Sequence, residues 1–432
     1  MAAGEIASMQ NATAGRRAAS DEDARALAEN FDIKRIDAAF LADPFPTYRA
    51  LREYDPVHLM PDSSYFLARY DDCLRVYRDY DTWRSDKHID FRPAFGDSLL
   101  YEHHTTSLVF NDPPYHTRVR KLLAPAFTPR ALSRLQPQIE TLVDRLLDRA
   151  AARGDIDLID DFAAAIPIQL IGDLLNLPLD ERGPLRDWSL AILGALEPTL
   201  SSKQFDTGVR AVEEFKAYLR HHIRREAEGG RSGAGEVLAA LISGSEFNTN
   251  APAGERLSEL ELIHNCIFLL NAGHETTTNL IGNGIDLLIR HPEALADLRT
   301  HPELIDSAVE EFLRTESSNQ LGNRRSESDT VLGGIAMKAG TYVHIGIGAA
   351  NRDPAQFPDP DRLDIRRQPN RHLAFGTGIH ACAGMSLARM EARVAIGKLV
   401  ARFSRIEPAD SPVRGNRARF RGFSHYPVRL AQ

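Results

Sequence analysis

Cysteine is scarce in this chain of 432 residues, which carries only Cys73, Cys266 and Cys382. Three scattered thiols exclude a disulfide framework and a four-cysteine zinc site, so a thiol with a task must act without cysteine neighbours. An excess of positive charge is missing as well. The net charge is −8, which favours solubility and gives no reason to expect nucleic acid as a partner. The first thirty residues lack the apolar stretch of a signal peptide and cannot span a bilayer. Ala-rich and punctuated by Arg16, Arg17, Asp21, Glu22, Asp23 and Arg25, residues 1–30 read as a mobile tail on a cytoplasmic protein with no membrane partner. No period of 20–50 residues marks a repeat array. What is present is ordinary: 43% hydrophobic and 26% charged residues, the balance of a soluble globular protein.

From Phe31 onward, short Pro and Gly breaks separate long amphipathic stretches, so helix dominates. Leu132, Leu135, Ile139, Leu142, Val143, Leu146 and Leu147 recur at helical spacing and predict a helix over Ala131–Arg153. Two more are predicted, over Leu257–Arg290 and Gly384–Phe403. Strand-like runs are few and short: Val57–Leu59, Tyr65–Ala68, Val331–Gly334 with Tyr342–Ile345, and Tyr426–Leu430. A sheet this small beside so many helices predicts a mainly α fold with a minor β region.

Two places depart from this pattern. Ser258 and Glu261 form a capping box that starts the long second helix. Its apolar run is interrupted by Ala272-Gly273-His274-Glu275-Thr276-Thr277-Thr278, poor mid-helix residues whose hydroxyls can bond back to a carbonyl. Such a gap, followed by an acid and an alcohol, suits a ligand groove, although a kinked packing helix would have the same composition. A zinc-protease reading fails, because the second histidine it needs is replaced by Thr278. The other place is Phe375-Gly376-Thr377-Gly378-Ile379-His380-Ala381-Cys382-Ala383-Gly384. An amphipathic helix follows, so Cys382 sits at a helix N-terminus, whose N–H groups favour a thiolate. By itself that leaves a nucleophile, a buried sulfur or an axial haem ligand.

The full pattern is Phe-x-x-Gly-x-His-x-Cys-x-Gly, with Phe375, Gly378, His380, Cys382 and Gly384 in place. Its chance occurrence in a chain of this length is on the order of a few in a hundred thousand. It resembles the haem-thiolate loop of the cytochrome P-450 monooxygenases. The interrupted helix is similar to that family's oxygen-binding groove. Glu311-Phe312-Leu313-Arg314 is similar to its core Glu-x-x-Arg, which a downstream arginine completes; Arg367 is the preferred match and Arg366 the alternative. Asp112–Arg120 resembles the segment that reaches a haem propionate. Further similar stretches are Asp43–Pro46 with Tyr48, Arg69–Asp72, Ala349–Pro354 and Phe357–Pro360. Leu363 and Ser318 depart, standing where the family often has Phe and Pro.

The resemblance implies one haem-enclosing domain over residues 31–432 with the P-450 fold, holding haem b through the Cys382 thiolate. It further implies that His116, Arg120, Arg324 and His380 hold the propionates. Ala272, Gly273, Phe375, Gly376 and Gly384 would border the cofactor. Thr276 and Glu275 would be the catalytic alcohol and acid that manage protons for bound O₂, while His274 has no role. The implied reaction inserts one oxygen of O₂ into a C–H bond of a small lipophilic substrate. Electrons would come from a separate ferredoxin and ferredoxin reductase, and the enzyme would be a monomer. Seven arginines between Ala401 and Gln432, with Arg118 or Lys121, would then face an acidic ferredoxin, or else form a solvated surface. By resemblance the pocket draws on roughly Lys87–Phe110, Leu170–Arg210, Phe268–Ala272, Ser318–Gly322 and Phe420–His425. These contain Phe91, Leu99, Val109, Leu196 and Phe423, two histidines at 103 and 104, and Arg92, a candidate for a substrate carboxylate. Two alternatives remain: a peroxide-using or isomerising haem-thiolate enzyme, which the Glu275–Thr276 pair argues against, and a non-catalytic haem ligand-binding protein. Cys73 and Cys266 read as packing residues.

Overall fold

The computed structural model describes residues 21–228, 236–248, 250 and 255–431. The chain is mainly helical with small sheets at its edge. Among the described residues, no helix is long and apolar enough to cross a membrane.

The long helix Glu259–Arg290 is the axis of the molecule, and at 1.5 Å per residue its 32 residues extend about 48 Å. It begins where the capping box places it: Ser258 Oγ accepts from the Glu261 N–H, and the Glu261 carboxylate accepts from the Ser258 N–H. Beyond the first turn it is buried on nearly every side, so its polar residues need partners. Several have them. Asn265 accepts from the Leu108 N–H, Asn283 donates to the carbonyls of Glu316 and Arg421, and Tyr426 donates to Asp286. Helices Ala165–Leu174, Leu185–Gly194 and Met385–Arg402 pack directly against it. The helix expected from Ala131 begins at Pro129, capped by the Thr128 hydroxyl and with proline at its first position.

The largest sheet has the order Val57–Leu59, Tyr65–Leu67, Tyr342–Gly346, Leu321–Ser326, Trp83–Arg84. Tyr65–Leu67 runs parallel to Tyr342–Gly346, and Leu321–Ser326 antiparallel to it. Thr330–Leu332 pairs with Ile335–Met337. It does not pair with Tyr342–Gly346. Leu321–Ser326 went unpredicted because Gly-Asn-Arg-Arg-Ser has neither the alternation nor the composition of a strand.

The tail expectation needs correcting over its last ten residues. Asp21–Glu29 is a helix packed on Phe45–Tyr54. Ala28 is buried, and Phe31 and Ile33 join Phe40, Tyr48 and Phe66 in an apolar cluster. The charges at Glu22, Asp23 and Arg25 lie on the outer side of this amphipathic helix, where they resemble a disordered tail when read alone. The remainder of that expectation, residues 1–20, lies outside the described residues.

Candidate active site

The loop before Cys382 is shaped by its glycines. Gly376 and Gly378 have φ of +61° and +73°, a region that favours glycine. At Gly378 a Cβ would lie 2.5 Å from the Tyr77 carbonyl oxygen, so no side chain fits there. The Cys382 N–H donates to the Phe375 carbonyl at 2.9 Å, closing the loop. Helix Met385–Arg402 follows. Burial pushes the Cys382 thiol up from its ordinary value, and the Gly384 N–H aimed at the sulfur opposes this only in part. The helix N-terminus alone therefore does not give a thiolate. A bound metal cation would, since coordination requires and stabilises the deprotonated sulfur.

Cys382 opens onto a cavity of about 350 Å³ that the long helix also walls. Ala272, Gly273 and Thr276 line that wall together with Thr277, which went unpredicted. The helix runs through this stretch unbroken, and the Thr276 hydroxyl donates to the Ala272 carbonyl at 2.7 Å. Gly273 is required by packing, because a Cβ there would lie 2.0 Å from Ile171 Cδ1.

Glu275 is placed differently. It is buried and does not face the cavity; both its oxygens accept from Arg417 Nη1, at 2.6 and 2.7 Å. Burial outweighs the arginine and raises its carboxyl to about 7. His274 is also buried, and neither ring nitrogen has a partner.

His116, Arg120, Arg324 and His380 converge on the same cavity. The rings of His116 and His380 are 4.3 Å apart, and His380 Nε2 meets Asp112 Oδ1 at 3.0 Å. That carboxylate also accepts from the Ser85 and Asp86 N–H groups. Arg324 is buried, and its guanidinium donates to the adjacent Asn323 carbonyl and lies over Tyr77. Among the described residues, neither Arg120 nor Arg324 has an ion-pair partner within 4 Å. His116 Nδ1 is buried without a partner. Two guanidiniums and two imidazoles thus surround one committed carboxylate, an arrangement that calls for an added anion. A dianionic, iron-bearing macrocycle meets both demands of this cavity, the thiol's and the cations', so these residues fit haem.

The core motif resolves its open choice. Arg314 donates twice to Glu311 at 2.8 Å, and both residues are completely buried. Arg367 joins them at 3.2 Å, whereas Arg366 lies outside and pairs with Asp297.

Elsewhere the sequence reading shifts. Arg92 is exposed and paired with Asp97, so it does not face the cavity. Val109 and Leu196 line the cavity, but Phe91, Leu99 and Phe423 do not. Three of the seven C-terminal arginines are committed inside the fold, Arg414 and Arg421 to Glu316 and Arg417 to Glu275, while Arg402, Arg405 and Arg429 pair with exposed acids at the surface. Arg118 pairs with Glu261. Arg419 lines the cavity instead of the surface. Its neighbourhood in an arginine-rich stretch hid it, and no sequence signal separates it from the rest.

A family model described as cytochrome P450 matches residues 57–423. The chain belongs to the cytochrome P450 family. It is 38% identical to cytochrome P450 107B1 of Saccharopolyspora erythraea over 92% of this chain and 98% of that protein. It is 36% identical to the vitamin D(3) 25-hydroxylase of Pseudonocardia autotrophica, over 91% of this chain and 96% of that protein. Among solved structures, it matches P450BioI in complex with an acyl carrier protein ligated to hexadec-9Z-enoic acid, with a TM-score of 0.84 and 32% identity. That match covers 91% of this chain and 100% of the other. The protein is therefore a P450 oxidoreductase with O₂-dependent monooxygenase chemistry. Membership in this family carries with it a haem on a cysteine thiolate. Cys73 and Cys266 are buried packing residues.

Proposed function

We propose that this P450 is a single-domain, monomeric, cytoplasmic enzyme that hydroxylates a small lipophilic substrate with electrons from a separate ferredoxin and its reductase. The observation that carries the reading is one cavity lined by both Cys382 and Thr276. Haem b bound there would supply activation of O₂ for insertion of one oxygen atom into a C–H bond. Cys382 would hold its iron. His116, Arg120, Arg324 and His380 would hold its two carboxylates, with Phe375, Gly376, Gly384, Ala272 and Gly273 bordering the ring.

The chain's own part in the chemistry is proton control. Thr276 Oγ1 donates a hydrogen bond to the Ala272 carbonyl, and the residue lines the cavity. Rotation about χ1 and the C–O bond turns that hydroxyl into a donor toward the cavity. Glu275, one residue back, is raised by burial to about 7, toward neutral pH, which suits proton pickup from the Arg417 side. A lipophilic substrate is supported by the apolar wall of Val109, Phe110, Ile192, Leu193 and Phe268, and by kinship with a vitamin D(3) hydroxylase. The ferredoxin rests on the resemblance to bacterial family members.

Thr276→Ala tests the reading. With a ferredoxin, its reductase and a turned-over substrate, the variant is expected to consume NAD(P)H at a rate within severalfold of the wild type. Product per electron pair should fall roughly tenfold or more, with peroxide making up the difference. Unchanged coupling would remove Thr276 from the proton path.

A further inference from the structure

In the wall of the same cavity, two helices bring together residues to which the P450 reading gives a place in the pocket but no chemical role. His103 and His104 sit on helix Leu99–Thr106, and His264 sits in the second turn of Glu259–Arg290. Glu102, partly exposed, is ion-paired with Lys216 from helix Ser202–Glu228 and accepts from His264 Nε2 at 2.9 Å. His264 Nδ1 meets His103 Nδ1 at 3.2 Å. His103 and His104 are buried, and both line the cavity.

Hydrogen-bond bookkeeping fixes the tautomers along this chain. Its partners, His264 first and then Lys216, hold the Glu102 carboxyl down at about 2, so it is an acceptor only. Burial lowers His264, against the opposing pull of Glu102, and holds His103 well below its ordinary value, which favours the neutral form of both rings. His264 therefore carries its proton on Nε2, toward Glu102, and presents a lone pair at Nδ1. The 3.2 Å contact then requires the proton on His103 Nδ1. The remaining nitrogen, His103 Nε2, is left as an acceptor on a ring that lines the cavity. Beside it, His104 Nε2 is buried without a partner, and its ring is walled by Phe91, Phe95 and Phe110.

We propose that this array is a substrate-anchoring site, and that the lipophile oxidised by this P450 carries a hydroxyl group that donates to His103. Glu102 and His264 are positioning residues that fix which nitrogen of His103 faces the cavity. A saturated hydrocarbon or an ether of equal shape leaves that acceptor without a partner, and a buried unpaired acceptor is costly. The inference rests on the P450 reading of the cavity.

The test uses the ferric holoenzyme and two matched pairs of probes: dodecan-1-ol with dodecyl methyl ether, and 4-butylphenol with 4-butylanisole. Dissociation constants are read from the Soret shift. The wild type is expected to prefer at least one hydroxyl probe over its ether by about tenfold, the size of one buried hydrogen bond. In His103→Phe that ratio should fall to within about twofold. In Glu102→Gln, which keeps shape at a partly exposed position, it should fall to an intermediate value while the ether's own affinity is unchanged. A merely structural role would weaken both members of a pair alike and leave the ratio intact. Equal affinity within both pairs, or no response to any of the four probes, overturns the proposal. The ferrous carbon monoxide spectrum of the same wild-type preparation separates the two readings. A thiolate band without hydroxyl preference removes only this inference, whereas a missing band removes the reading beneath it.

Discussion

Two buried acids next to this cavity are raised by the same cause with different surroundings. Glu275 reaches about 7 with Arg417 against it, and Glu391, on the helix after Cys382, reaches about 8 with burial as its only cause and one oxygen unpartnered. For Glu391 the folded value lies above the ordinary carboxyl value near 4.5. The folded state therefore keeps a proton that the unfolded chain releases between about pH 4.5 and 8, so this group makes stability fall as pH rises through that window. Glu391→Gln removes the titration and keeps the volume. The stability of the variant relative to wild type, followed by denaturant midpoint, is expected to improve steadily from pH 5 to 8. A difference that does not change with pH would contradict a neutral Glu391. Thr276 and Glu275 were legible in the sequence as a pair of types, but not the divergence of their side chains. Only the packed helix shows Thr276 facing the cavity and Glu275 facing Arg417.

Where the Glu311 helix meets the loop at 363–367, burial separates two adjacent arginines. Arg314 is fully buried against Glu311, so Arg314→Ala would strip that buried carboxylate of its bidentate partner, leave Arg367 as its one remaining cation, and cost about 3–5 kcal/mol. Arg367→Ala strips a second partner from that carboxylate and is expected to destabilise as well, whereas Arg366→Ala should leave the chemical denaturation midpoint unchanged, because its pair with Asp297 is at the surface. Equal effects at 366 and 367 would contradict the assignment. The sequence held both arginines at one residue's spacing and offered no way to choose. Long helices were legible because their apolar period and the Ser258–Glu261 cap are local signals. Leu321–Ser326 was not, because its register depends on Tyr342–Gly346, and its Asn323 and Arg324 are tolerated in a strand only through what they meet in the fold.

For the whole molecule, the motifs around Cys382, Glu311 and Thr276 were readable because each is a fixed spacing within one segment. The pairings between segments were not: Asp21–Glu29 against Phe45–Tyr54, the C-terminal Arg417 against Glu275, and Glu102 through His264 to His103. These contacts join residues up to 162 positions apart, and no local pattern announces them. They also redistribute charge, since arginines that resemble an open basic face in the sequence are neutralised inside the fold. The proposed function depends on one sulfur, that of Cys382. Its most direct test is the ferrous carbon monoxide difference spectrum of the haem-loaded wild type beside Cys382→Ala. The wild type is expected to give the red-shifted Soret band of a thiolate-ligated haem, and the variant to lose that band. A wild type without it, or a variant that retains it, would contradict the assignment of Cys382 and the function built on it.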